Sequence, residues 1–297
     1  MFPSVICKLI AEYVIEYDLK LLDWINIDKL DWKILSGNPN AMKLLMAHQD
    51  KIDWTTLSGN PTDQAISLLT ANPDKIIWHN LSRNHNTQAI LLLMANQDKI
   101  NWHGLSANIS DNAIKLLRAH PDKINWYNLS QNPNDQAILL LKEHQDKISW
   151  YNFSFNYNPQ SILILKEHMD KIVWLTLSSN NTDGAIKLLM TQPDKINWGW
   201  LSYNSNAQAI SILTANQDKI EWEYLSDNIN AIELIGANLD KIDWYGLSMN
   251  PNAIELLKMN QDKVKWQDIS YNPSIFTNDI TKYNTDVKIL QSVLYNL

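Results

Sequence analysis

Tryptophan recurs through most of this chain at intervals of 22 or 24 residues. Self-similarity at such a period is the signature of a repeat protein, in which each unit stacks on its neighbours. One tandem array is therefore predicted, rather than two compact domains. The eleven members of the column are Trp32, Trp54, Trp78, Trp102, Trp126, Trp150, Trp174, Trp198, Trp222, Trp244 and Trp266.

Further columns stand at fixed distances from each tryptophan. A serine always follows four residues later and an asparagine six residues later. Each unit opens with Asp-Lys, from Asp28-Lys29 to Asp262-Lys263, so the eleven units cover residues 28–273. The 24-residue units carry two extra residues just after the asparagine and its successor, and insertions confined to one point mark a surface loop.

Capping signals predict two helices in each unit. The residue before tryptophan is often Asp, Asn or Ser, the types that cap helix N-termini. With Asp53 as the cap, Ile52 and Leu57 are spaced for a hydrophobic staple. After the Asn-Pro step, Ala41 and Leu44 begin an apolar pattern with helical spacing. A column of Asn or His ends it, and we expect these residues to take the left-handed conformation that is common at helix C-termini. The predicted fold is all-α, an α-solenoid of eleven two-helix repeats.

A leucine-rich-repeat horseshoe is the alternative fold, because 22 to 24 residues is also its usual period. The Ile-x-Trp step would then be its strand. The usual leucine spacing of that family is absent and the capping pattern is helical, so the solenoid is favoured.

The two terminal segments depart from the repeat. Residues 1–27 and 274–297 keep apolar positions with helical spacing but lose the column pattern. We interpret them as an N-terminal helical cap and a C-terminal cap that cover the exposed ends of the stack.

The repeat unit resembles a tandem repeat that is abundant in giant DNA viruses of amoebae and algae. Residues 243–260 carry the pattern nearly unbroken, as Asp-Trp-Tyr-Gly-Leu-Ser-Met-Asn-Pro-Asn-Ala-Ile-Glu-Leu-Leu-Lys-Met-Asn. The resemblance implies a viral source and brings no known activity with it.

The N-terminal segment looks like the opening of an F-box. The resemblance rests on Phe2-Pro3-Ser4-Val5-Ile6-Cys7-Lys8-Leu9-Ile10 followed by Tyr17-Asp18-Leu19-Lys20-Leu21-Leu22. An F-box implies docking on the adaptor of a ubiquitin ligase. The segment is short for a whole F-box, Phe2 replaces the usual Leu, and the repeats begin at once, so a plain N-terminal capping helix is favoured.

Composition limits the setting and the partners. The formal net charge of −7 argues against nucleic acid as a partner, since phosphate binding needs a positive field. A single cysteine, Cys7, fits a reducing compartment. No signal peptide and no membrane-length apolar run are evident. We therefore expect an intracellular protein, in the host cytoplasm or in a virion, without membrane contact.

No catalytic or metal-binding pattern recurs in the units. The serine column has no histidine at a fixed offset, and seven glycines leave no phosphate-binding loop. Four histidines occupy the helix-end column where asparagine otherwise stands, so capping explains them better than zinc binding. The sequence predicts neither an enzyme nor a cofactor. Those histidines are His48, His120, His144 and His168.

Two columns vary from unit to unit, namely the positions after tryptophan and after serine. Repeat scaffolds bind through side chains that the stack does not fix, and aromatic residues suit interface hot spots. The sequence therefore predicts a scaffold for a protein partner; a ligase adaptor and a structural virion component are the alternatives. The candidate contact residues are His79, His103, Tyr127, Tyr151, Arg83, Phe155 and Tyr203.

Overall fold

The computed structural model describes Val5, Ile6, Leu9, Ile10 and residues 18–295, and its fold is an α-solenoid. Each repeat is named here by its tryptophan. A typical repeat has a short first helix, a second helix and a closing turn that carries the Asp-Lys pair, and in most repeats this turn is a 3-10 helix. The first helices span Trp32–Leu35, Trp54–Leu57, Trp78–Arg83, Trp102–Ser106, Trp126–Ser130, Trp150–Phe155, Trp174–Leu177, Trp198–Tyr203, Trp222–Ser226 and Trp244–Met249, and the Trp266 repeat has a 3-10 helix at Asp268–Tyr271.

The second helices and closing turns alternate with the first helices along the chain. The second helices span Met42–Ala47, Asp63–Ala71, Thr87–Ala95, Asp111–Ala119, Asp135–Glu143, Pro159–Glu167, Asp183–Leu189, Ala207–Ala215, Ile232–Gly236 and Ile254–Met259. Closing 3-10 turns span Ile27–Lys29, Gln49–Lys51, Pro73–Lys75, Gln97–Lys99, Pro121–Lys123, Gln145–Lys147, Met169–Lys171, Pro193–Lys195 and Gln217–Lys219.

The first helix begins as the capping pattern predicts. Asp53 has an extended backbone, and its carboxylate accepts a hydrogen bond from the backbone N–H of Thr56 at 2.7 Å. The preceding Ile52 is buried and packs into the core. Trp54 already starts a helix, so the Ile-x-Trp step is not a strand and the horseshoe alternative is wrong.

The second helix ends differently from the prediction. No described non-glycine residue has a positive φ, and the helix-end column has φ near −130° instead of the left-handed conformation. Asparagines in this column donate to the carbonyl four residues back, as Asn72 does to Leu68 at 2.9 Å. Histidines in the column pack against the tryptophan of their own repeat, as His48 does against Trp32 at 5.0 Å between ring centroids. The histidines are therefore structural.

A continuous apolar core runs between the two helix layers. Leu57, Ala65 and Leu69 are fully buried in their repeat, and the equivalent residues are buried in most of the other repeats. The tryptophans are partly buried, and several carry the closing-turn lysine over their ring, as Lys51 lies 4.5 Å from the ring centroid of Trp32. Such contacts contribute about 0.5–1 kcal/mol each at exposed sites.

The serine and asparagine columns form a buried polar ladder between repeats. The hydroxyl of Ser58 donates to the carbonyl of Trp54 at 2.8 Å and accepts the backbone N–H of Ile77, in the next repeat, at 3.0 Å. The amide of Asn84 donates to the carbonyls of Ser58 at 3.2 Å and Asn60 at 2.9 Å. In the described part of the chain, no buried side-chain nitrogen or oxygen lacks a partner. The ladder therefore gives hydrogen-bond partners to the buried serine and asparagine side chains, whose burial would otherwise be costly.

The ladder does not stop at the last repeat but continues into the first. The backbone N–H of Asp31 donates to the hydroxyl of Ser270 at 2.9 Å. The amide of Asn38 donates to the carbonyls of Ser270 at 3.1 Å and Asn272 at 3.3 Å. Asn40 adds a bond to the carbonyl of Pro273 at 3.0 Å, as its counterparts do elsewhere. The eleven repeats therefore form a closed ring.

The closing repeat is assembled from both ends of the chain. Its first helix comes from residues near Trp266, and its closing turn, Ile27–Lys29, comes from the N-terminal side. Lys29 lies 4.7 Å from the ring centroid of Trp266, in the place that Lys51 takes over Trp32. Where other repeats have a second helix, this one has a two-stranded antiparallel sheet of β1 (Leu19–Leu21) and β2 (Phe276–Asn278).

The cap interpretation of residues 1–27 and 274–297 is corrected by this closure. The ends of the stack bond to each other and leave no exposed end between the Trp266 and Trp32 repeats. Residues 19–21 form a strand and not a helix, and the rest of the F-box-like segment lies mostly outside the described residues. A C-terminal helix, Ile280–Tyr295, follows β2.

Ring closure predicts a specific stability effect at the joint. Asn38→Asp keeps the side-chain oxygen that caps its own loop but removes the amide donor to the Trp266 repeat. We expect a loss of about 2 kcal/mol or more, because two buried carbonyls lose their donor. Asn132→Asp, inside the array, is the matched control and is expected to cost a similar amount in urea unfolding followed by tryptophan fluorescence. A neutral Asn38→Asp beside a costly Asn132→Asp would show an open array.

Candidate interaction surface

One face of each first helix contributes neither to the apolar core nor to the hydrogen-bond ladder. In the Trp54 repeat, Leu57 and Ser58 are buried while Thr55 and Gly59 are exposed. At 100° per residue, the positions after tryptophan and after serine lie together on the side opposite the core. We call the surface formed by these two columns of residues the variable face. It consists of Lys33, Gly37, Thr55, Gly59, His79, Arg83, His103, Ala107, Tyr127, Gln131, Tyr151, Phe155, Leu175, Ser179, Gly199, Tyr203, Glu223, Asp227, Tyr245, Met249, Gln267 and Tyr271.

The first helices form the inner layer of the ring. They approach their neighbours closely enough for the Asn128 amide to donate to the backbone carbonyl of His103 at 2.7 Å. The second helices stand further apart, and a groove of about 510 Å³ opens between two of them, lined by Ile66, Thr70 and Gln88 among others. Spacing between neighbours in a closed ring grows with radius, so the layer with the shorter spacing lies inside. The variable face is therefore on the inner side.

The candidate contact residues of the sequence analysis all lie on this face. Six of them are exposed and Phe155 is half-buried. They extend from the Trp78 to the Trp198 repeat and do not form one compact site. His79, Arg83 and His103 make a basic sector, followed by Tyr127 and other aromatic residues.

An aromatic slot opens on the variable face. We define it by Phe155, Tyr157 and Tyr203, which stand around the small side chain of Ser179. The cavity has a volume of about 160 Å³, and Asn181 and Ser205 complete its lining. Phe155, Ser179 and Tyr203 are the same column in three successive repeats, so the slot exists because a serine separates two aromatic residues.

A second aromatic group adjoins the slot. Trp200 and Tyr224 stack with ring centroids 6.1 Å apart and an interplanar angle of 29°. Gly199 makes this arrangement possible, since a Cβ at that position would lie 3.3 Å from the Tyr224 ring. The aromatic sector thus reaches into the Trp222 repeat.

Carboxylates follow directly after the aromatic sector. Glu223 and Asp227 are on the variable face, and Asp243 opens the next first helix. Burial raises the pKa of Asp227, and the nearby charges of Asp243 and Glu223 raise it further. None of the three carboxylates has an ion-pair partner within the described chain. This sector therefore carries uncompensated negative charge.

The sequence analysis missed several residues of this surface. Tyr157 follows the ladder asparagine, at a position where five other repeats have proline. Trp200 and Tyr224 stand two residues after their repeat tryptophan. Both columns vary between repeats, so variability was a usable signal. What the sequence lacked was the distance between columns of neighbouring repeats.

Among the described residues, no cluster of histidine, cysteine or carboxylate side chains could hold a metal ion. No helix in that part of the chain is long and apolar enough to cross a membrane. Comparison with known proteins finds no matching family model, no matching curated protein and no matching solved structure.

The raised pKa of Asp227 predicts a pH-dependent stability effect. The folded protein holds this proton more tightly than the unfolded chain, so ionisation of Asp227 destabilises the fold, and the penalty fades as pH falls through the folded-state pKa. Asp227→Asn is therefore expected to raise the midpoint of urea unfolding at neutral pH, with a gain that shrinks in acid.

The exposed Asp218 of a closing turn provides the control for this test. Asp218→Asn is expected to show no comparable gain at neutral pH. The account of Asp227 is contradicted if Asp227→Asn is destabilised at neutral pH, or if its gain does not depend on pH.

Proposed function

We propose that this ring is a non-catalytic scaffold that binds a protein partner through its variable face. The observation that carries the proposal is that the fixed columns and the variable columns of the repeat have different roles. Tryptophan, leucine, serine and asparagine are committed to the core and the ladder. The residues of the variable face differ from repeat to repeat, and all except the buried Ser179 are exposed or half-buried. A surface that the fold leaves free to vary is where a repeat scaffold gains specificity.

The composition of the face supports a protein rather than a small molecule as the ligand. Tyr127, Tyr151 and Tyr203 are 55%, 47% and 45% exposed. Tyrosine is enriched at protein interfaces because its ring buries a large area while its hydroxyl keeps a hydrogen bond. Their distribution over several repeats suits an extended contact. The viral source that the resemblance implies and the intracellular setting expected from the composition belong to the same proposal.

Partner capture from a host-cell lysate tests this function. A variant with Tyr127→Ser, Tyr151→Ser and Phe155→Ser is expected to lose partners that the unaltered protein retains, because hot-spot aromatics carry most of an interface's energy. Quantitative mass spectrometry of the captured proteins is the readout.

The matched control removes equally exposed apolar residues from the second helices. Leu91→Ser, Leu139→Ser and Leu163→Ser alter side chains that are 47%, 46% and 51% exposed on the outer layer. This control is expected to keep the partners. If both variants capture the same proteins as the unaltered chain, the variable face is not the binding surface.

A further inference from the structure

The aromatic slot has the dimensions of a pocket for one side chain. Its volume of about 160 Å³ is well below the roughly 300–1,000 Å³ of sites for drug-sized ligands. Tyr157 and Tyr203 are 47% and 45% exposed, so the aromatic walls reach into solvent and are not used up in the core. An occupant would insert from the variable face between the Trp150 and Trp198 repeats.

The lining of the slot is rich in electrons and contains no cation. Three aromatic side chains line the slot, and the face of an aromatic ring attracts positive charge. Ser179 is buried beneath the aromatic residues, and its hydroxyl donates to the carbonyl of Thr176 at 2.9 Å. The side chains of Asn181 and Ser205 make no hydrogen bond within the described chain, so their oxygens can accept. These groups favour a flat, positively charged donor.

The neighbouring carboxylates add a second cation-attracting feature. Glu223 and Asp227 lie one repeat beyond Tyr203 on the same face, without an ion pair. Opposite charge on a partner would relieve the mutual repulsion of Asp227, Asp243 and Glu223. A partner segment that fills the slot can therefore place a further basic residue against these carboxylates.

We propose that the variable face binds a basic segment of a partner protein and holds one arginine side chain in the aromatic slot. Arginine suits the slot better than lysine, since its planar guanidinium stacks on aromatic rings while its edge donates several hydrogen bonds. This inference rests on the proposed function and names the chemistry of the partner.

Direct peptide binding tests the inference on the full chain. The probe is a fluorescein-labelled Gly-Ser peptide with arginine at every third position, compared with lysine, citrulline and aspartate versions. Fluorescence anisotropy is expected to show the tightest binding for arginine, weaker binding for lysine and none for aspartate. Citrulline keeps the shape of arginine without its charge and is expected to lose binding about ten-fold or more.

Variants locate the site. Phe155→Ala and Tyr203→Ala are each expected to weaken arginine-peptide binding about five- to ten-fold, whereas Tyr203→Phe retains the ring and the affinity. Tyr271→Ala is the matched control, because Tyr271 occupies the same column and is 55% exposed but lies three repeats from the slot. Glu223→Gln with Asp227→Asn is expected to weaken binding most at low salt.

Two results would overturn the arginine proposal. One is equal binding of the arginine and citrulline peptides. The other is unaltered arginine-peptide affinity in both Phe155→Ala and Tyr203→Ala, with their folding verified by circular dichroism. If peptides fail while lysate capture still depends on the variable face, the arginine pocket is refuted and the scaffold function stands. If lysate capture is also independent of that face, both are refuted.

Discussion

The buried hydrogen-bond ladder between repeats is the interaction on which the rest of this structure depends. A repeat of 22 or 24 residues has helices too short to persist alone, and apolar stacking does not by itself fix their register. The serine hydroxyl and asparagine amide tie each repeat to backbone atoms of its neighbour, as in Ser58 to Ile77 and Asn84 to Asn60. Because an unmade buried bond is costly, each repeat has one favoured position relative to the next.

Closure of the ring follows from applying this ladder at the last joint. Asn38 in an open array would have no carbonyls to bond, whereas in the ring it meets Ser270 and Asn272. The three 22-residue repeats, those of Trp222, Trp244 and Trp32, flank the closing Trp266 repeat. Closure also sets the geometry of the variable face, since it places the first helices on the inner layer and their variable residues on one surface.

The sequence predicted the helical repeat and most N-caps of the first helices, because these are local patterns with fixed spacing. Phe155 and Tyr203 were among the candidate contact residues predicted from the sequence. Tyr157 and the slot were missed, because they depend on distances between neighbouring repeats. From the sequence alone, the two ends are interpreted as caps. Yet the first repeat already has Asn38 and Lys29, in the columns whose other members contact the preceding repeat. Ring closure depends on the curvature of the solenoid summed over all eleven repeats, and it cannot be recognised in the sequence of a single repeat.

A measurement of proximity between the first and last repeats tests the ring most directly. Nitroxide labels at Lys33 and Gln267 would occupy the same column in the Trp32 and Trp266 repeats, with labels at Tyr127 and Tyr151 as the internal reference pair and Cys7 replaced by serine. A closed ring predicts the same dipolar broadening of the electron paramagnetic resonance spectrum for both pairs. Broadening in the reference pair without any in the Lys33–Gln267 pair would contradict the closed ring.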